Sequence, residues 1–507
     1  MFRSRAVLLS LLAIAMLVAT LPAAADDGHT KTDAVVTGAQ DTPIHISIYR
    51  PAGASAQRPV PVILHSHGWG GSRTSSDSAF RTELNRGFGV VSIDQRGHGA
   101  SGGQANVQDP DLEGQDVIAV IDAVAKLRWV AKDRPGDPVL FAMGGSYGGG
   151  YQLMGALTEI RDTGRTRFNA LAPEITWFNL SQSLAPQKVV RTAWATLLYA
   201  AGAPMLVDYV HPAFAYGAAT GQWPDGTVAG LHNLHEEFFE HGPSGFVAKG
   251  IKLDIPVLIG QGTSDNLFNL NEGIHNFRRT LTKRARAKSL FVAYNGGHAL
   301  PNALPLGAAA GHDACSGEGG FAELRLRFFE RVLDDENPRK LLPRAYNLTS
   351  ADGTSCIRAR SLTDYERFQP GVDVQVATGT ATTTGAGAPQ HHLVASGPMT
   401  IAGIPKLHAD VTTLGADQRV FFAISVGSNP ATARVVQNNM MPVRELLPVV
   451  QKRRTIGLPG IAVDVAEGEN VYLTVSPVSD ISFGHGSART PGAVTLTDLA
   501  LDLPLVR

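Results

Sequence analysis

The sequence predicts an α/β fold with a doubly wound, mostly parallel sheet, interrupted by a helical insertion and followed by a second, all-β domain. Three observations predict it. Short continuous apolar runs alternate with amphipathic stretches over residues 44–301. Residues 174–250 break that rhythm with Ala-, Leu-, Trp- and Tyr-rich pieces. Beyond Leu341, helical periodicity gives way to short alternating segments rich in Thr, Val and Gly. The 507 residues agree with this division, since a domain holds roughly 100–200 residues.

From the N-terminus, Arg3 and Arg5 precede an apolar stretch over residues 6–21, and Ala23-Ala24-Ala25 stands before Asp26. This is the layout of a secretory signal peptide, residues 1–25. The apolar run is short for a membrane span, no cysteine follows it for lipid anchoring, and Arg3-Ser4-Arg5 is not a twin-arginine pair. Export to the periplasm or the extracellular space is expected. Loss of the two arginines leaves 42 basic against 45 acidic residues, a charge of −3. No other long apolar stretch follows, so no membrane association is expected after signal removal.

Residues 44–49 alternate with period two, and 61–64, 89–93, 139–143, 255–259 and 290–293 are continuous apolar runs. Strands covered on both faces of a parallel sheet have this character. Between them, residues 111–130 place Val117, Val120, Ile121, Val124 and Leu127 at helical spacing. Pro186, Pro204, Pro212 and Pro224 divide residues 174–250 into short pieces, read as a helical cap over the strand ends. Residues 321–333 form a last amphipathic helix, closing a domain over residues 26–340. In residues 341–507, the segments 406–413, 419–426, 461–465 and 470–475 read as strands of a β-sandwich or jelly roll. The Gly/Thr-rich piece at 378–388 reads as a mobile loop.

Composition excludes several functions. With 44 basic and 45 acidic residues there is no cationic excess for nucleic acid. Two cysteines are too few for a Cys-rich zinc site or a disulfide scaffold. His232, His235, Glu236, Glu237 and His241 cluster in the cap, but a zincin helix needs histidine where Phe239 stands. That cluster reads as a solvated helix, and His391-His392 as an isolated pair. No phosphate loop occurs, and neither metal nor cofactor is expected.

The strongest chemical signal is Gly144-Gly145-Ser146-Tyr147-Gly148, between a buried strand and a helical stretch. Glycines at such a turn let the chain reverse sharply and lift the serine hydroxyl above the sheet, as in an α/β-hydrolase nucleophile elbow. A serine nucleophile needs a base and an acid to orient it, in the chain order Ser, Asp, His. The next two strand ends supply Asp265, in Gly260-Gln-Gly-Thr-Ser-Asp265, and His298, in Tyr294-Asn-Gly-Gly-His298. Asp94 ends a strand too early in the chain; with Arg96 and His98 it is read as structural, and His312 is the fallback base. The oxyanion needs hydrogen-bond donors, each contributing roughly 2.7–4 kcal/mol. The backbone N–H of Tyr147 is one, and that of Trp69, in the glycine-rich loop of residues 65–71, is the other. Cys315 and Cys356 flank the expected domain joint; in an exported protein they are expected to pair, with free thiols as the alternative.

With these residues in place, the chain resembles the X-Pro dipeptidyl-peptidase/cocaine-esterase family of serine hydrolases. Gly144-Gly-Ser-Tyr-Gly-Gly149 resembles the family's elbow, and Asp94-Gln-Arg-Gly-His-Gly-Ala-Ser-Gly102 its post-strand turn. Ala172-Pro-Glu-Ile-Thr-Trp177 is similar to the start of its cap. Ser396-Gly-Pro-Met-Thr-Ile-Ala-Gly-Ile-Pro405 and Glu467-Gly-Glu-Asn-Val-Tyr-Leu-Thr-Val475 are similar to segments of its C-terminal jelly roll. The resemblance implies an α/β-hydrolase with cap and jelly roll, and a triad of Ser146, Asp265 and His298. Cocaine-esterase-like members use a tyrosine hydroxyl as an oxyanion donor, whereas this loop carries Trp69.

The expected function is hydrolysis of a small ester, amide or peptide substrate by a secreted serine hydrolase through an acyl-enzyme. The narrower alternative is an X-Pro dipeptidyl aminopeptidase, which needs acidic groups for a free amine; Glu174, Glu236 and Glu237 are candidates, and Glu174 and Trp177 are expected to touch substrate. A non-catalytic glycan- or ligand-binding protein is the third reading.

Overall fold

The computed structural model describes residues 28–308, 311–362, 374–385, 387–487 and 491–506, so the expected signal peptide lies outside the described residues. A ten-stranded mixed sheet organises the first part of the chain. Its strands are β1 (Thr30–Thr37), β2 (Pro43–Arg50), β3 (Val62–Ser66), β4 (Gly89–Ile93), β5 (Leu140–Gly145), β6 (Phe168–Glu174), β7 (Leu258–Gly262), β8 (Leu290–Tyr294), β9 (Tyr346–Thr349) and β10 (Cys356–Ala359). They lie in the order β1-β2-β4-β3-β5-β6-β7-β8-β9-β10. Strands β3 to β9 pair in parallel, and antiparallel strands stand at both edges.

The continuous apolar runs are explained by helices on both faces of this sheet. On one face, the helix Glu113–Lys126 buries Val117, Val120, Ile121 and Val124 beside the helix Tyr147–Thr163. On the other, Leu324, Phe328 and Phe329 of the helix Gly320–Leu333 meet Phe88 and Phe141, with Phe141 and Phe329 ring centroids 4.7 Å apart. The cap follows β6 as short helices, Leu180–Leu184, Thr192–Gly202, Val210–Thr220, Leu234–Glu240 and Pro243–Ala248, with an apolar core of their own.

The sheet runs past the boundary expected at residue 341. Strand β9 docks in parallel on β8, and β10 turns back on β9. Each has only four residues, too few to show a period in the sequence. Consequently Cys315 and Cys356, which form a disulfide, both belong to the α/β part and do not bridge two domains. The bond ties the loop before Gly320–Leu333 to the edge strand β10.

The remaining chain is β-rich. One sheet has the order Val374–Thr384, Ala493–Leu503, Lys406–Leu414, Lys452–Gly457; another joins Gln390–Ser396, Asn470–Ser476 and Gln418–Gly427, with Met441–Glu445 on the last. They share a core that includes Leu407, Val411, Phe422, Ile424, Leu473 and Leu496. Residues 378–384 of the segment expected as a mobile loop belong to the strand Val374–Thr384, paired antiparallel with Ala493–Leu503 through two irregularities. Its threonines are β-branched and favour extended backbone, which outweighs the low-complexity signal. This region packs on the cap: Arg444 Nη1 donates to Lys188 O (2.9 Å) and Gln222 Oε1 (2.7 Å). Among the described residues no helix is long and apolar enough to cross a membrane.

The disulfide closes a loop of 41 residues, for which the chain-entropy model gives about 4 kcal/mol. Replacing both cysteines by alanine is expected to lower unfolding free energy by about that amount in urea titrations; an unchanged midpoint would show that the bond constrains nothing of consequence.

Candidate active site

Strand β5 delivers Ser146 at its carboxyl end, and the helix Tyr147–Thr163 begins one residue later. Ser146 sits at φ 57°, ψ −122°, a conformation that L residues rarely adopt. Its N–H donates to Glu174 O (2.9 Å), and its carbonyl accepts from Gly149 N (2.9 Å) and Gly150 N (3.1 Å). The turn fits because its flanking glycines lack side chains. A Cβ at Gly144, where φ is +154°, would lie 2.5 Å from Ser66 O, and one at Gly148 would lie 2.3 Å from the same atom.

Ser146 Oγ lies 2.9 Å from His298 Nε2, and His298 Nδ1 lies 2.7 Å from Asp265 Oδ2. A carboxylate only accepts, so Nδ1 donates to it and Nε2 is left to accept from the serine hydroxyl. The other Asp265 oxygen, Oδ1, accepts from Leu267 N (3.0 Å) and Phe268 N (2.7 Å), and the side chain is fully buried. Burial of the His298 ring disfavours its cation, but the Asp265 charge and hydrogen bond outweigh burial and raise its pKa above the ordinary 6.5. The rings of Phe268 and Trp194 stand edge-on to it at 5.3 and 5.9 Å. The structure therefore brings Ser146, His298 and Asp265 into one hydrogen-bonded line. His312 is elsewhere: it is exposed and pairs through its backbone with Asn295.

The loop after β3 lies against the elbow; a Cβ on Gly68 would be 3.8 Å from Ser146 Cβ. The Trp69 indole Nε1 donates to Leu198 O (2.8 Å), and its ring packs on Tyr147 at 5.0 Å. The side chain is thereby fixed on the cap. Among the described residues, neither the Trp69 nor the Tyr147 backbone N–H has a protein acceptor. Behind this loop, Asp94 accepts from Arg73 N (2.5 Å) and Ala100 N (2.9 Å), while Arg96 pairs with buried Asp116 through Nε and Nη2, both at 2.8 Å. These residues shape the turn, as their place in the sequence implied.

Trp177 and Glu174, expected together at the substrate, separate. Trp177 lines a cavity of about 90 Å³ that opens beside Ser146, with its indole N–H on His241 O (2.9 Å). Glu174 does not line the cavity. It pairs with Arg325 Nη1 (3.1 Å) and with Tyr294; burial raises its pKa, and Arg325 opposes that. The cap carboxylates are also engaged. Glu237 accepts from Tyr209 Oη (2.5 Å) and pairs with His232, and Glu236 is exposed beside Asn233. His235 meets Ser181 Oγ at 2.8 Å.

Sequence reasoning missed the residues that hold the acid and histidine loops. Asn266 N donates to His298 O (2.9 Å), and its side chain joins Leu300 and Trp194. Arg191 Nη1 donates to Asn266 O and Leu267 O, each at 2.7 Å. From the β-rich region, Asn439 Nδ2 donates to Asp265 O (2.8 Å), and Asn438 accepts from Asn302 N (3.1 Å) while donating to Leu300 O. Asn266 had a signal, adjacency to the acid; Asn438 and Asn439 had none, lying 138 and 174 residues from Leu300 and Asp265, whose carbonyls they bind.

Comparisons agree with this geometry. Residues 40–299 match the model of the X-Pro dipeptidyl-peptidase (S15 family). A CocE/NonD family hydrolase from Staphylococcus aureus has a similar structure at TM-score 0.67 and 13% identity, over 94% of each chain. An aminopeptidase from a marine sediment Thaumarchaeota archaeon is similar at 0.63 and 14% identity, over 98% of this chain and 99% of that one. An α-amino acid ester hydrolase is similar at 0.61 and 14% identity, over 96% and 99%. No curated protein matches the chain in sequence. The family match covers more than half the chain, including the elbow, the acid and the histidine: this chain belongs to the X-Pro dipeptidyl-peptidase (S15) family and is a serine hydrolase of esterase or X-Pro peptidase type.

Proposed function

We propose that the chain hydrolyses a small ester or amide through an acyl-enzyme on Ser146. The observation that carries this is the hydrogen-bonded line from Asp265 through His298 to Ser146, on a turn whose strain holds the hydroxyl clear of the sheet. His298 Nε2 takes the hydroxyl proton as Oγ bonds to the substrate carbonyl carbon. The oxyanion forms against the N–H groups of Tyr147 and Trp69. His298 then gives the proton to the leaving oxygen or nitrogen as its bond to carbon breaks. Water, deprotonated by His298, releases the acid and restores Ser146. Asp265 orients the ring and stabilises the imidazolium.

The engagement of Glu174, Glu236 and Glu237 elsewhere favours simple acyl substrates over X-Pro peptides, whose free amine needs a carboxylate. The same reading takes residues 1–25 as an export signal, and the C-terminal β-rich region, with its two antiparallel sheets on one core, as a jelly roll.

Ser146→Ala is expected to lower kcat by on the order of 10⁴–10⁶ with an unchanged circular-dichroism spectrum, and to abolish labelling by a fluorophosphonate. Hydrolysis near the wild-type rate would remove the mechanism. Because His298 must be neutral to act as base and its pKa is raised, activity is lost as pH falls through a value above 6.5. In a kcat/KM–pH profile, Asp265→Asn should shift that acid limb to lower pH and reduce kcat on the order of 10⁴-fold; an unmoved limb would separate Asp265 from the histidine. After export, N-terminal sequencing should find Asp26 first, and a retained Met1 would rule out cleavage there.

A further inference from the structure

The lining of the cavity beside Ser146 indicates which half of a substrate it holds. Tyr147 and Trp69, whose N–H groups are assigned to the oxyanion, line it; His298 does not. Since His298 returns its proton to the departing group, the leaving group lies on the His298 side. The acyl group then points the other way, under the cap. Resting on the acyl-enzyme reading above, we propose that this cavity is the acyl-binding subsite, that it takes an uncharged alkanoyl or arylalkanoyl group, and that it excludes acyl groups bearing a free α-ammonium.

The chemistry of the wall carries the assignment. Leu198, Leu206, Val210, Phe214, Trp223 and Phe238 come from successive cap segments, and no charged side chain joins them. Five carboxyl groups around the site have donors of their own. Glu272 accepts from Phe178 N (2.8 Å) and Asn179 N (2.9 Å), and Glu113 from Asn106 N (2.6 Å) and Asp109 N (3.1 Å). Glu237 and Glu174 are held as described above, Asp265 is bound to His298, and none of the five lines the cavity. An ammonium group would therefore give up its water without gaining a counter-charge, whereas an alkyl or aryl group gains by leaving water for these walls. Ala195, on the helix Thr192–Gly202, contributes only a methyl group to the wall, so its small size sets how much acyl chain fits.

The test uses the full chain and p-nitrophenyl esters sharing one leaving group: acetate, butanoate, hexanoate and 2-aminobutanoate. At about pH 6.5, where an α-amine is largely charged, kcat/KM for butanoate should exceed that for 2-aminobutanoate by about 100-fold or more. From acetate to hexanoate it should rise about tenfold or more, and Ala195→Leu should cut the hexanoate-to-acetate ratio by a similar factor. Equal or better use of the amino ester, or no gain with chain length, would overturn the subsite, while Ser146-dependent hydrolysis and fluorophosphonate labelling would still uphold the hydrolase. Failure of every ester together with absent labelling would overturn both. If Ala195→Leu does not fold, the matched esters on the unaltered chain decide.

Discussion

The structure depends most on the buried contact between Asp265 and His298. A carboxylate with no exposure to water is tolerated only when its oxygens are satisfied. Here Oδ1 has two backbone donors and Oδ2 has the imidazole. That arrangement requires the loops after β7 and β8 to stand side by side, which the parallel register Val292↔Gly260 and Tyr294↔Gly262 provides. It also leaves the carbonyl of Asp265 buried, where an unpaired acceptor costs roughly 1–3 kcal/mol. Asn439 satisfies it from the β-rich region, and Asn438 adds a second donor to Leu300 O beside Asn266. The C-terminal part of the chain thus completes the hydrogen bonding of the catalytic loops, and the two parts of the molecule are linked through the site itself.

The elbow shows the same dependence from the other side. The positive φ of Ser146 is unfavourable alone, and Gln437 and Asn438 also hold left-handed φ values of 51° and 60°. In each case the surroundings fix the conformation: β6 accepts the Ser146 N–H, while Ala462 N donates to Gln437 Oε1 (2.9 Å). Strained backbone thus occurs at Ser146 and at Asn438, which donates to Leu300 O two residues beyond His298, and both are bonded to another element.

The legible parts of the sequence were those whose physics is local. Strands β3, β4, β5, β7 and β8 announce themselves as continuous apolar runs because helices cover both faces. The triad was legible because each member sits at the end of one of these strands, in an order that the sheet imposes. The edges were not. β1 and β10 each touch one neighbouring strand, and β9 and β10 have four residues apiece, so their sequences carry little pattern. Glu174 misled for a different reason. Its backbone ends β6 beside the elbow, yet its side chain turns to Arg325, a helix residue 151 positions away. A contact of that span has no local signature, and neither has the brace from Asn439.

The reacting groups and the cavity wall are carried largely by different parts of the chain. The reacting groups stand on loops of the sheet and are braced by the β-rich region, whereas most of the cavity wall comes from the cap, the rest being Trp69, Val107, Ser146, Tyr147 and Phe268. Trp69 joins the two: its indole is bonded to the cap helix at Leu198, while its loop lies against the elbow. Substitutions in the cap can therefore change the charge or volume of the cavity without moving the Asp265–His298 contact, as long as the Trp69 bond is kept. A carboxylate placed in that wall would admit a free amine, and an apolar wall refuses one by desolvation. Under the proposed acyl subsite, the uncharged cavity wall contributed by the cap is therefore what would separate simple acyl esters from substrates with a free amine.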